Sequence, residues 1–180
     1  MFGNIPMAPL YDPNAVQPMR DELTYVGFTE LTTPEAVDAH FDANKEGTTL
    51  VMINSVCGCA AGSARPGVAE SLQNTVIPDN IVTVFAGQDR AATDKVRSKI
   101  TGFPPSSPSA ALFKNGEVVF MMERWMIEGR DPAQVADMLK NAYNLHCGKT
   151  GPSISKEDYD KLVYLKACGS KIPKNPAFQG

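Results

Sequence analysis

Two cysteines separated by a single glycine, Cys57 and Cys59, sit where an apolar run meets a helix-like one, in the stretch NSVCGCAAGSARP (residues 54–66). A thiol attacks a disulfide as the thiolate, and a helix N-terminus favours that anion through its free N–H groups and partial positive charge. Cys57 stands where such a helix begins. From Cys57 to Ala69 there is no Asp or Glu, and Arg65 is the only formal charge; the main local influence that would raise a thiol pKa is therefore missing. Arg65 lies eight residues beyond Cys57, which at ~1.5 Å per helical residue is roughly 12 Å along the axis and too far for direct contact. Its expected role is structural, or that of a hold on a substrate carboxylate.

The spacing of the two thiols constrains them further. Inside a regular helix, side chains at i and i+2 point ~200° apart, so a disulfide could not close there. If the two pair, Cys57 lies outside the helix, on a turn made flexible by Gly58, and the small ring is strained and easily reduced. Two other uses compete. Free cysteines are often buried as small hydrophobes. A zinc site from Cys57, Cys59, Cys147 and His146 or Cys168 has suitable ligand types but lacks the paired C-x₂–₄-C spacing of structural zinc sites.

The elements that must position these thiols can be read from patterning. Residues 1–16 are expected to form a loose arm, followed by a short helix over 18–26. Thr33, Pro34 and Glu35 mark a second helix start. Thr48–Ser55 is nearly all apolar and β-branched, as in a strand covered on both faces. After the CGC comes a helix with Pro66 as its kink point, then a buried strand over Asn80–Gly87 and an amphipathic helix with Asp89 as cap. Two apolar runs flank Asn115-Gly116, a strong hairpin signal. Asp131, Pro132 and Gln134 open a final helix with a capping box, whose core stripe is Val135, Met138, Leu139 and Ala142. Strand–helix alternation implies parallel pairing, and the closing hairpin an antiparallel edge. Residues 148–180 add a helix capped by Ser155 and stopped by Gly169, then a tail.

Composition narrows the class. The 180 residues are 43% hydrophobic and 21% charged, with a net charge of −3, which suits one globular domain and gives no reason to expect nucleic acid or an anionic membrane as partner. The opening MFGNIPMAPLYDP lacks the basic and apolar regions of a signal peptide. The expected setting is cytoplasmic, where four cysteines are too few for a disulfide scaffold. With two histidines, no phosphate-binding loop and no convincing nucleophile–base spacing, hydrolase and nucleotide chemistry find no support.

Downstream, PSSPSAALFKNGEVV places Pro108 immediately before a strand and resembles the thioredoxin segment whose cis-proline loop faces the cysteines; a trans turn proline is the alternative. Residues from about Gln17 to Cys147 resemble the bacilliredoxin family through ELTTPEAV, NSVCGCAAGSARP, VTVFAGQDRAAT, PSSPSAAL, IEGR and the closing HC. The resemblance implies a thioredoxin-like three-layer α/β/α sandwich with a central mixed sheet, occupying residues 17–147, with a C-terminal helical extension beyond it. It implies removal of bacillithiol, a small thiol co-substrate, from mixed disulfides on oxidised cytosolic proteins, with no tightly bound cofactor; disulfide isomerisation is the alternative activity. Cys57 would attack and Cys59 would resolve, unless a second thiol molecule does so. Ser107 and Pro108 would shape the substrate groove with Gly58. Asn54 and Ser55 would donate hydrogen bonds or cap the strand end. Two features depart from the family pattern: the extension, where Cys147 and Cys168 form either packing or a redox pair, and Trp125, where a polar residue is expected.

Overall fold

The computed structural model describes residues 7–164 and 172–178. Its centre is β2 (Thr48–Asn54), every residue of which is buried. The alternating pleat divides its apolar side chains between two cores. Leu50 and Met52 join one cluster with Ala110 and Leu112, and Val51 and Ile53 the other with Val82, Val84, Ala111 and Phe113. Each such side chain contributes about 1.5–3 kcal/mol by leaving water, which is why the centre of this strand, Leu50 to Ile53, is apolar at consecutive rather than alternate positions.

Around β2 lies a five-stranded mixed sheet in the order β1-β4-β2-β5-β6. β1 (Thr29–Glu30) and β4 (Asn80–Phe85) run parallel to β2. β5 (Ser109–Lys114) is antiparallel to β2, and β6 (Glu117–Met122) is antiparallel to β5. Asn115 and Gly116 join the last two with φ of 50° and 81°, the left-handed pair that matches strand twist in a two-residue hairpin. α1 (Pro13–Tyr25), α3 (Arg65–Ser71) and α6 (Pro132–His146) cover the first core; α2 (Pro34–Ala43) and α4 (Arg90–Lys99) cover the second. The expected three-layer, thioredoxin-like α/β/α sandwich is the observed fold.

Helix starts follow the caps. Thr33 Oγ1 accepts from Ala36 N–H at 3.1 Å, and Asp131 and Gln134 form a reciprocal capping box. Asp89 holds the N-cap position of α4 without a side-chain cap; its carboxylate instead takes Arg20 Nη1 and Nη2 at 2.9 and 2.8 Å. A charge-assisted fork outcompetes a single N–H donor. α3 and α6 approach so closely that a Cβ on Gly67 would lie 2.6 Å from Val135 Cβ, a requirement for glycine that the sequence pattern did not reveal.

Four expectations change. α1 begins at Pro13, not near Pro18, because Asp12 caps it by accepting from Asn14 N–H at 2.9 Å. The arm is correspondingly held: Leu10 N–H donates to Gly87 O, and Tyr11 bridges Lys174. The helix beyond the CGC opens with a π-helical turn, Ala60–Ala64, in which Arg65 N–H bonds to Ala60 O. Pro66 cannot donate within the helix, and the wider turn makes room for its ring. In the extension, Ser155 caps as expected, but α7 spans only Lys156–Asp160. The chain leaves it so that Leu162 and Tyr164 pack against the first core, where burial outweighs helix propensity. Gly169 lies outside the described residues. The extension also holds β7 (Lys149–Thr150), paired with β3 (Val76–Ile77).

Candidate active site

β2 ends at Asn54, and the backbone then turns through Ser55 and Val56 to Cys57, whose carbonyl accepts the first helical bonds from Ala60 and Ala61 N–H at 3.1 and 3.2 Å. Cys57 is thus outside the helix and Cys59 within its first turn, the arrangement that the i, i+2 spacing requires for the sulfurs to meet. They lie 2.9 Å apart as free thiols in hydrogen-bond contact. Gly58 between them is exposed, so no bulk covers the pair from that side.

Their electrostatics diverge. Burial pushes the Cys57 thiol up, but hydrogen bonds from Cys59, the Ser55 hydroxyl and Ala60 N–H, with the charge of Arg124, bring it below the ordinary thiol value. Burial, the hydrogen bond given to Cys57 and the charge of Cys57 push Cys59 up to about 11, against a smaller pull from Arg124. Of the pair, Cys57 is therefore the first to lose its proton, and the remaining proton stays on Cys59.

Beneath the loop is a buried polar anchor. Asn54 is 1% and Arg65 0% exposed. Asn54 Oδ1 accepts from Ser55 N–H at 2.8 Å and from Arg65 Nη1 at 3.2 Å, while Asn54 Nδ2 donates to Met19 O at 3.2 Å. Arg65 Nη1 also reaches the Ser55 carbonyl at 2.8 Å, and Nε meets Glu22 Oε2 of α1 at 2.5 Å. Of its two expected roles, Arg65 takes the structural one: with no exposed surface it cannot meet a substrate carboxylate. Asn54 likewise braces the strand end rather than facing a substrate. Glu22, a buried acid in an amphipathic helix, carried no sequence signal for this pairing.

The second wall comes from the neighbouring strand. Ile53 pairs with Ser109, so the loop before β5 opens at the same sheet end as the CGC. The Ser107–Pro108 peptide is cis, as the thioredoxin resemblance implied. Pro108 is buried and Ser107 half-buried. Trp125 sits on α5 (Arg124–Ile127), is 64% exposed, and donates from Nε1 to Glu123 Oε1 at 3.3 Å; it fills no gap. Arg124, beside it, interacts electrostatically with both thiols and escaped the sequence reading, because an exposed arginine 67 residues from Cys57 has no local pattern to mark it.

Cys147 ends α6, half-buried, where burial raises its thiol and Thr48 lies in hydrogen-bond contact. Thr48 opens β2 and Asn54 closes it, so the two sites are roughly 20 Å apart at ~3.3 Å per strand residue. That separation keeps Cys147 and His146 out of any zinc site with Cys57, and among the described residues no three metal-ligating side chains converge. Cys168 lies outside the described residues.

Two adjacent thiols whose pKa values are displaced in opposite directions are suited to exchange with disulfides. On this sheet topology that chemistry makes the protein a thioredoxin-like thiol–disulfide oxidoreductase. A family model described as disulphide isomerase matches residues 11–147. Bacilliredoxins are similar: one of Shouchella clausii is 57% identical over 139 residues, covering 77% of this chain and 95% of the relative. One of Salinibacter ruber is 52% identical over 143 residues, covering 79% and 83%. One of Bacillus cereus is 52% identical over 134 residues, covering 74% and 92%. The chain belongs to this disulphide isomerase family of bacilliredoxins. Residues 148–180 lie outside the family match.

Proposed function

We propose that the chain removes a low-molecular-weight thiol, bacillithiol where the host makes it, from mixed disulfides on oxidised cytosolic proteins. The observation that carries this reading is the opposite displacement of two thiols 2.9 Å apart. The Cys57 thiolate attacks the small-thiol sulfur of the mixed disulfide. The S–S bond to the substrate protein breaks, that protein's cysteine leaves as a thiolate and takes a proton, and Cys57 now carries the small thiol. Cys59 then loses its proton, attacks Cys57 and expels the small thiol, leaving a Cys57–Cys59 disulfide. Two reducing thiols from solution, or one dithiol, return both to the starting state: they attack the Cys57–Cys59 disulfide in turn, give up two electrons and two protons between them, and leave as a disulfide. No tightly bound cofactor is needed; the small thiol is a co-substrate.

The name of the relatives supports the substrate, and the description of the family model supports a second reading, isomerisation of protein disulfides. The two separate on substrate, since isomerisation needs no small thiol. The test follows release of bacillithiol from a bacillithiolated protein, beside refolding of a scrambled disulfide protein without any small thiol. Release by wild type and none by Cys57→Ser supports the proposal. Full release by Cys57→Ser would overturn it, and scrambled-protein activity alone would favour the isomerase. No helix among the described residues is long and apolar enough to cross a membrane.

A further inference from the structure

Arg124 is held by three contacts, two of them to the loop before β5. Its backbone N–H donates to Ser106 Oγ at 2.8 Å, its Nη1 to the Ser107 carbonyl at 3.4 Å, and its Nε to Glu128 Oε1 at 2.6 Å. The first two fix α5 to Ser106 and to the carbonyl of the Ser107–Pro108 peptide, at the sheet end from which β2 delivers Cys57. The guanidinium is thus anchored at that end of the sheet, and its charge favours the anionic form of both thiols.

Three further properties distinguish it from a residue that only tunes a thiol. The side chain is 47% exposed. Its Nη2 makes no hydrogen bond among the described residues. Its ionic partner Glu128 is 54% exposed, so that pair is of the weak, solvent-screened kind that an arriving carboxylate can displace. Once Glu128 is displaced, the guanidinium offers Nε and Nη2 as a forked pair of N–H donors beside the loop before Pro108, the geometry that grips a carboxylate in two places.

We infer that Arg124 is the anion-binding residue of this site: it grips a carboxylate on the small-thiol half of the mixed disulfide and so selects which of the two sulfurs Cys57 attacks. The chemistry of the two halves makes this selection possible. A cysteine within a protein has its own carboxyl locked in a peptide bond, whereas a carboxylate-bearing small thiol brings a free anion within a few bonds of its sulfur. Gripping that anion turns the small-thiol sulfur toward Cys57 and leaves the protein sulfur as leaving group. The bonds made and broken are those of the first exchange described above; Arg124 adds orientation, and no proton or electron passes through it. The inference rests on the proposed dethiolase reading and names the substrate class for it.

The test uses two alkylating reagents that share a leaving group and differ by one charge, iodoacetate and iodoacetamide. Rates at Cys57 are measured above its titration, in wild type, Arg124→Gln and Arg124→Lys, with Cys59 replaced by alanine throughout. The expected result is an iodoacetate-to-iodoacetamide ratio that falls about tenfold in Arg124→Gln, as loss of a charged hydrogen-bond partner predicts, and by less in Arg124→Lys, which keeps the charge but not the fork. An unchanged ratio in Arg124→Gln overturns the inference. In turnover, kcat/KM for a mercaptosuccinate mixed disulfide is expected to fall about tenfold further than for a 2-mercaptoethanol one; equal falls overturn it, because they would mean that Arg124 acts only through the thiolate. Cys57 that resists iodoacetamide in every variant would instead defeat the dethiolase reading on which the inference depends.

Discussion

Arg65 Nη1 donates to the Ser55 carbonyl at 2.8 Å and so ties the helix beyond the CGC loop back to the strand end before it. The same guanidinium reaches Glu22 on α1, which brings three elements together under the candidate nucleophile. Arg65→Met is expected to destabilise the protein by about 3–5 kcal/mol, because it strips Glu22 of its buried cation. Urea unfolding measures this. The Arg65→Met/Glu22→Leu double variant should be less destabilised than the sum of the two singles; simple additivity would show that the pair is not coupled.

Reactivity of the two thiols should separate along the pH axis. Cys57 alkylation should reach half its maximal rate below the free-thiol value of about 8.5, since only the thiolate reacts and its pKa is lowered. Cys59 alkylation should rise only toward about 11. In Ser55→Ala the Cys57 midpoint should move up, because a hydrogen bond that favours the anion is gone. Mass spectrometry of pulse-alkylated protein resolves the two sites, and coincident midpoints would contradict the structure.

Replacing Cys59 removes the resolving thiol of the proposed cycle. Cys59→Ala incubated with a bacillithiolated protein should accumulate one bacillithiol adduct per chain, on Cys57, which intact-mass measurement before and after reduction detects. Rapid loss of the adduct on adding free bacillithiol would show that a second small thiol can replace Cys59.

Gly67→Ala should cost about 1–3 kcal/mol. The added methyl would lie 2.6 Å from Val135 Cβ and 2.9 Å from the Pro132 carbonyl, and neither is a flexible chain end that can yield. Thermal unfolding of this variant beside Gly62→Ala, where nothing lies within 4 Å, isolates the packing effect.

The extension bears on the site through Ile172, which is 8% exposed and packs with Val16, Met19, Phe85 and Val56, the residue before Cys57. Ile172→Ala should cost about 2 kcal/mol, read from urea unfolding. A surface-like cost below about 0.5 kcal/mol would show that the tail does not brace the loop.

Local signals carried much of this protein into view. The caps at Thr33 and Asp131, the Asn115-Gly116 turn and the apolar centre of β2 (Leu50–Ile53) each act within a few residues of chain, where backbone sterics and burial leave little choice. The CGC was legible for the same reason: two thiols, a glycine and a helix start are adjacent in sequence, and the i, i+2 spacing put Cys57 outside the helix if the two sulfurs were to meet. What the sequence withheld depends on distance. Asp89 reads as a cap until Arg20, 69 residues away, takes its carboxylate. Arg65 reads as a free charge until the π-helical turn and α1 enclose it against Glu22. Arg124 becomes part of the site only because β5 and β6 carry the chain back beside β2. Charged side chains choose partners by geometry and local dielectric, and in a folded chain both are set by elements far apart in sequence; sequence alone thus determined the thiols and their scaffold, and the tertiary structure decided which charges attend them.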